Sequence, residues 1–217
     1  MHLLLTDVLA CPRCGPEFGL ILLADEVRER RVLQGHLGCP NCREEYPIRH
    51  GVADLRFPPP AETGSPEKPV EASEELALRV AALLGVRTPG ARILLIGAGA
   101  NLALGLSRLL PDVEVIALVG RPDAAEQDLA GVSVVAAGAV LPFQLGKLHA
   151  AAILGGADQA DVSRAAAVLA RGARLLIDPA EEGVRDGLEA AGLQLLLDES
   201  GAVLAVRAGV AHPQAHP

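Results

Sequence analysis

The 217-residue chain has no tryptophan, one tyrosine, one methionine and three phenylalanines. Aromatic side chains are the stacking platforms of single-strand nucleic-acid binders. A basic excess is missing too: 19 Lys and Arg stand against 27 Asp and Glu, for a net charge of −8. Phosphate backbones are held by cations, so both absences argue against nucleic acid as a direct ligand. No long apolar run is present. The best stretch, Ile93 to Leu110, is broken by three glycines, Asn101, Ser107 and Arg108, so no membrane span is expected. The N-terminus has neither a basic leader nor a small-residue cleavage site, which makes the cytoplasm the expected compartment. Cysteine is absent after residue 42.

What is present is aliphatic. Half of the residues are hydrophobic, mostly Ala, Leu and Val, and the mean hydropathy of +0.32 excludes disorder for most of the chain. The length suits one large or two modest domains. Composition changes near residue 57: every cysteine and the tyrosine lie before it, and Phe57 to Ser73 holds five of the sixteen prolines. The expected organisation is a small cysteine domain over 1–57, a proline-rich linker over 58–74, an α/β domain over 75–210 and a frayed tail over 211–217.

Beyond the linker, helical and strand patterns alternate. Ser73, Glu74 and Glu75 open a helix that carries Leu76, Val80, Leu83 and Leu84 and stops at Gly85. Apolar strands are expected at 91–97, 113–120, 132–137, 148–155 and 173–178, with helices between them, one running from Ala160 to Gly172 and one short helix over 122–130. The C-terminal stretch reads as a hairpin turning at Glu199-Ser200-Gly201. Near-continuous apolar strands separated by helices specify a mainly parallel, doubly wound (Rossmann-like) sheet of about seven strands, closed by an antiparallel hairpin.

Cys11-Pro-Arg-Cys14 and Cys39-Pro-Asn-Cys42 are two C-x-x-C knuckles separated by 24 residues. Each knuckle aims two thiolates at one point, and two knuckles complete a tetrahedral sulfur site suited to zinc. Two disulfides or a redox dithiol are the competing readings. A cytoplasmic setting disfavours the first, and the presence of two pairs disfavours the second. Four protein ligands leave no open position, so the metal is structural. Gly15 and Gly38 beside the knuckles are expected to supply positive φ. His36 could be a spare ligand that four cysteines make unnecessary. Arg28, Arg30 and Arg31, among Asp25, Glu26 and Glu29, read as a solvated hairpin.

The flanks of the knuckles carry a resemblance. A leucine-rich start leads into the first knuckle, and the second runs into Tyr46-Pro47-Ile48-Arg49-His50-Gly51-Val52-Ala53-Asp54-Leu55. This is similar to the zinc-ribbon family that includes the activator subunit of tRNA and release-factor methyltransferases, although His50 and Ala53 replace that family's usual Asp and Pro. The resemblance covers residues 1 to 57. It implies a protein-contact role, since the family's eukaryotic members keep methyltransferase subunits soluble and active by covering an apolar surface.

Gly97 and Gly99 follow an apolar strand and precede a helix, the place where doubly wound folds bind nucleotide-like ligands. A tight strand-to-helix turn would carry the same glycines. The segment from 75 to 208 resembles class I S-adenosylmethionine-dependent methyltransferases at this turn, at Ala136 to Phe143, and at the stretch leading into the fifth strand. The resemblance implies that Gly97, Gly99 and Asn101 would cradle the cofactor. It also implies acids that are missing. Leu95 stands where an acid usually precedes the first glycine, Val119 where an acid binds the ribose hydroxyls, and Ala137 where an acid receives the adenine amino group. A hydrogen bond to a charged group contributes about 1.5–3 kcal/mol. Losing two weakens binding by roughly 10²- to 10⁴-fold, so S-adenosylmethionine binding is expected to be lost or greatly weakened.

No methyltransferase-like catalytic motif follows the fourth strand, where the sequence is Gly155-Gly156-Ala157-Asp158-Gln159. Arg121 could meet a 2′-phosphate, but Leu102 fills the third glycine position of a dinucleotide fingerprint, and a solvated strand-end arginine is the simpler reading. His149 reads as a strand-edge histidine, and Asp158 and Asp161 as helix caps. The expectation is a zinc ribbon fused to a degenerate methyltransferase-like domain with no catalytic residues. Its role would be that of a scaffold, assembly or regulatory subunit for an unidentified protein partner. The competing expectation is an active methyltransferase acting on RNA or a translation-related protein.

Overall fold

The computed structural model describes residues 1–58, 73–122, 131–181, 183–199 and 201–209. Most of the expected linker, the short helix over 122–130, the hairpin residue Ser200 and the C-terminal tail therefore lie outside the described residues.

The cysteine-bearing region is built from short strands. A 3-10 turn over Leu3–Val8 leads to β1 (Ala10–Cys11), which pairs antiparallel with β2 (Gly15–Gly19). An antiparallel meander follows, made of β3 (Ile21–Arg28), β4 (Arg31–Gly38), β5 (Glu45–Arg49) and β6 (Val52–Asp54). The tight β3–β4 turn uses Glu29 and Arg30 at positive φ. Gly15 takes positive φ as expected; Gly38 does not. It remains in the β4 ladder opposite Glu45, and the left-handed position falls to Arg43 after the second knuckle.

The second region alternates helix and strand. Helix α1 (Glu74–Leu84) starts where the Ser73 hydroxyl accepts from Leu76 N and ends at Gly85 in the left-handed region. Strand β7 (Arg92–Gly97) runs through a 3-10 turn into α2 (Ala103–Leu109). Then come β8 (Glu114–Val119), β9 (Val132–Ala136), β10 (Leu148–Leu154), α3 (Gln159–Val168), β11 (Leu169–Asp178), α4 (Val184–Ala190), β12 (Leu193–Glu199) and β13 (Ala202–Arg207). Helix α3 opens with a reciprocal capping box between Asp158 and Asp161. It stops at Val168 instead of Gly172, because Leu169, fully buried, already pairs with Leu148 of β10; Gly172 at positive φ then turns the chain within β11.

One sheet of eleven strands results, in the order β12-β13-β11-β10-β7-β8-β9-β6-β5-β4-β3. Its seven strands from β7 onward are parallel except for the antiparallel β13. The expected doubly wound sheet of about seven strands with a closing hairpin is therefore present. The ribbon meander continues this same sheet, since β6 pairs parallel with β9, Val52 opposite Val134 and Asp54 opposite Ala136.

The two faces bury separate cores. On one side Ala77 and Val80 of α1 and Leu106 of α2 pack over Ile93, Leu95 and Val115. On the other, Val162 and Leu188 of α3 and α4 pack over Leu94, Ile116 and Ile153, and this core runs unbroken into the ribbon through Phe143, Leu55, Ile48 and Tyr46. Among the described residues, no helix is long and apolar enough to cross a membrane.

Candidate metal centre and cofactor cleft

The four cysteine sulfurs lie within 4.8 Å of one another. Cys11 comes from β1 and Cys14 from the turn after it, while Cys39 and Cys42 follow β4. A tetrahedral zinc with Zn–S bonds of about 2.3 Å requires sulfur–sulfur separations of about 3.8 Å. Cys11 Sγ lies 3.7 Å from Cys42 Sγ, and Cys39 Sγ lies 3.8 Å from Cys14 Sγ. The donor set fits zinc in number, chemistry and spacing. None of the four cysteines is in a disulfide.

The surroundings favour the thiolate form at Cys11 and not at Cys39 or Cys42. Cys14 N donates to Cys11 Sγ at 3.4 Å, and Asn41 Nδ2 donates to Cys14 Sγ at 3.3 Å. Burial pushes the Cys39 thiol up. Burial also raises Cys11, but hydrogen bonds from Tyr46 and from the backbone N–H groups of Cys14 and Arg13 outweigh it, leaving that thiol at about 7. Metal binding would displace the remaining protons. The Arg13–Glu44 ion pair, 3.0 Å, joins the two knuckles at the surface, and the Arg13 guanidinium lies over the Phe57 ring. His36 is in mid-β4, opposite Leu23 and Pro47, outside the sulfur cluster.

The ribbon is fastened to the larger sheet by more than β6. Leu9 bridges Phe143, Ala10 N donates to Pro142 O at 2.9 Å, and Gln144 N donates to Val8 O at 2.8 Å. His2 N donates to the buried Ser133 Oγ at 2.7 Å. Arg31 is not a solvated residue of the β3–β4 turn: its Nη2 donates to Val132 O across the junction.

At the C-terminal ends of β7, β8, β9 and β10 there is a cleft of about 230 Å³. Pockets that enclose drug-sized ligands are usually roughly 300–1,000 Å³. Gly97, Val119, Gly120, Ala137 and Gly138 line it on the strand side, and Asp161 and Arg164 of α3 are the charged side chains on its wall among the described residues. These two pair with each other, and Arg164 Nη1 also donates to Ala139 O. Gly97 is at φ +70°, and a Cβ there would lie 2.7 Å from Leu154 O. Gly99 is buried against the Leu154 side chain, and Asn101 is exposed in a separate groove between α1 and α2. Of the three residues singled out for the cofactor, the structure brings only Gly97 to the cleft. Leu95 is fully buried in the opposite core. Sequence reasoning missed Arg164, whose role depends on the fold of the 137–141 loop and leaves no local signature.

An N-terminal four-cysteine ribbon joined to a sheet ordered 6-7-5-4-1-2-3 from β7 onward defines a zinc-ribbon protein with a class I methyltransferase-like fold. Residues 2–51, less than a quarter of the chain, match the family described as Trm112p-like protein, so the N-terminal part is similar to that family. Among solved structures, the chain is similar to the precorrin-6Y C5,15-methyltransferase from Geobacter metallireducens, with TM-score 0.51 and 15% identity over 68% of this chain and 95% of that one. It is also similar to the antibiotic-resistance methyltransferase Kmr, with TM-score 0.48 and 11% identity over 71% of this chain and 98% of that one. The first of these, at 15% identity, speaks for the fold alone. No curated protein matches the chain.

Proposed function

We propose that this methyltransferase-related chain is non-catalytic and works as a zinc-binding scaffold, assembly or regulatory subunit through contacts with other proteins. The observation that carries this reading is the wall of the cleft. Val119 and Ala137 line it where acids would hold the ribose and adenine of S-adenosylmethionine, and the charged side chains on it among the described residues, Asp161 and Arg164, are committed to each other and to Ala139 O. The loss of two charged contacts converts a micromolar site to a near-millimolar one. The ribbon has its own second region as its first partner: β6 and residues 8–10 are already engaged in cis. The surface left to other proteins includes β3, the free end of the sheet, with Ile21, Leu23 and Val27 exposed. A cytoplasmic location belongs to the same reading.

A second reading is an active methyltransferase acting on RNA or a translation-related protein. It is favoured by the persistence of a cleft at Gly97, with that glycine still at positive φ. Calorimetric titration of zinc-loaded protein with S-adenosylmethionine separates the two. The non-catalytic reading expects no dissociation constant below about 10 μM. A value below that overturns it in favour of the enzyme.

A further inference from the structure

We propose that Tyr46 is a positioning residue of the metal centre: its hydroxyl donates a hydrogen bond to the Cys11 thiolate and so slows the loss of the ion. Tyr46 is the chain's single tyrosine. It sits in β5 opposite Leu37, is 3% exposed, and its Oη lies 3.4 Å from Cys11 Sγ, itself on a cysteine that is 1% exposed. A buried phenol requires a hydrogen-bond partner, and the partner the structure gives it is this sulfur. The direction of the bond follows from chemistry. A metal-bound sulfur carries no proton and can only accept, so the O–H donates.

Four thiolates around one zinc leave two negative charges beyond those the ion neutralises. At the surface, water disperses that excess. Asn41 Nδ2, which donates to Cys14 Sγ at 3.3 Å, is an exposed donor that water can replace. Cys11 is shielded from water, so Tyr46, together with the Cys14 backbone N–H, does there what solvent does for the outer sulfurs. It also fixes the direction of the sulfur lone pairs left free for the metal. Phenylalanine would fill the same space in the shared core and lack only the donor. The residue's packing and its hydrogen bond can therefore be separated.

The test uses the full chain loaded with zinc. In Tyr46→Phe, transfer of zinc to a chromophoric chelator should be faster by about 10-fold or more, the usual scale for losing an outer-shell partner of a metal ligand. In the cobalt-substituted variant, the thiolate-to-metal charge-transfer band should move to lower energy, because an unbonded sulfur is a better electron donor. Packing alone would not move this band. A measurement on the unmodified sequence guards against a variant that does not fold: in protein loaded with cadmium-113, the Tyr46 hydroxyl proton should show scalar coupling to the metal through the sulfur. Zinc transfer at the unmodified rate with an unmoved band overturns the proposal, and so does the absence of that coupling. Failure of the unmodified chain to bind stoichiometric zinc removes the metal centre itself, and this inference with it. Tight S-adenosylmethionine binding would overturn the functional reading above and leave Tyr46 unaffected.

Discussion

His149 shows how a side chain at a strand end acquires a charge preference. Its Nδ1 accepts a hydrogen bond from Arg92 N at 3.1 Å, which only the unprotonated nitrogen can do. Although His149 is exposed, partial desolvation of its ring and the nearby Arg92 guanidinium hold its pKa below the ordinary histidine value. In the unfolded chain the same histidine takes up a proton near pH 6.5. Below that pH the unfolded state binds more protons than the folded one, so the contribution of this contact is complete above pH 6.5 and is lost as pH falls toward the folded value. Denaturant midpoints at pH 7.5 and 5.5 should therefore separate more for the unmodified chain than for His149→Gln; equal separations would refute the contact. At this scale, legibility follows locality. The four-sulfur cluster is visible in the sequence because two residues between paired cysteines suffice to make a knuckle. The reach of Arg31 to Val132 is not visible, since the residue it touches lies about a hundred positions away and a guanidinium among acids looks solvated.

At the scale of elements, the strand-to-helix passage at Gly97 is the most constrained turn at the cleft. Alanine there would bring its Cβ to 2.7 Å from Leu154 O in a backbone with φ +70°. Gly97→Ala should cost about 2 kcal/mol or more. Gly138→Ala, with φ outside the left-handed region and nothing within 4 Å of a new Cβ, should stay within about 0.5 kcal/mol of the unmodified chain. Equilibrium unfolding of both variants checks the contrast. Elements whose ends carry their own signals were legible: α1 has Ser73 before it and Gly85 after it, and α3 has Asp158 and Asp161. The far end of α3 was not. Ala170, Arg171 and Gly172 look like a helix terminus, but the pairing of Leu169 with Leu148 decides where the helix stops, and that contact is tertiary.

At the scale of the whole molecule, the ribbon and the larger region share a sheet and a core, which sets what metal removal should do. Chelation should strip protection from β3 to β6 while β10, β11 and β13, in the half of the sheet farthest from the ribbon, keep theirs. It should also uncover the β9 edge and promote self-association, because an exposed apolar edge strand invites pairing. Hydrogen exchange with and without chelator, combined with sedimentation, tests this. Unchanged exchange in the ribbon would refute the metal dependence, and uniform loss throughout the chain would refute its regional character. The class of the larger region was legible because apolar runs separated by helices repeat through it. The junction was not, because β6 is three residues long and parallel pairing with β9 has no marker in either segment.

The β6–β9 junction also orders events in time. Val52 must wait for Val134, about eighty residues further along the chain. At a translation rate of roughly 5–20 residues per second, the nascent ribbon spends about 4–16 s with its joining strand uncovered. During that interval the growing polypeptide offers an open edge to whatever is nearby, and the emergence of β9 from the ribosome ends the exposure.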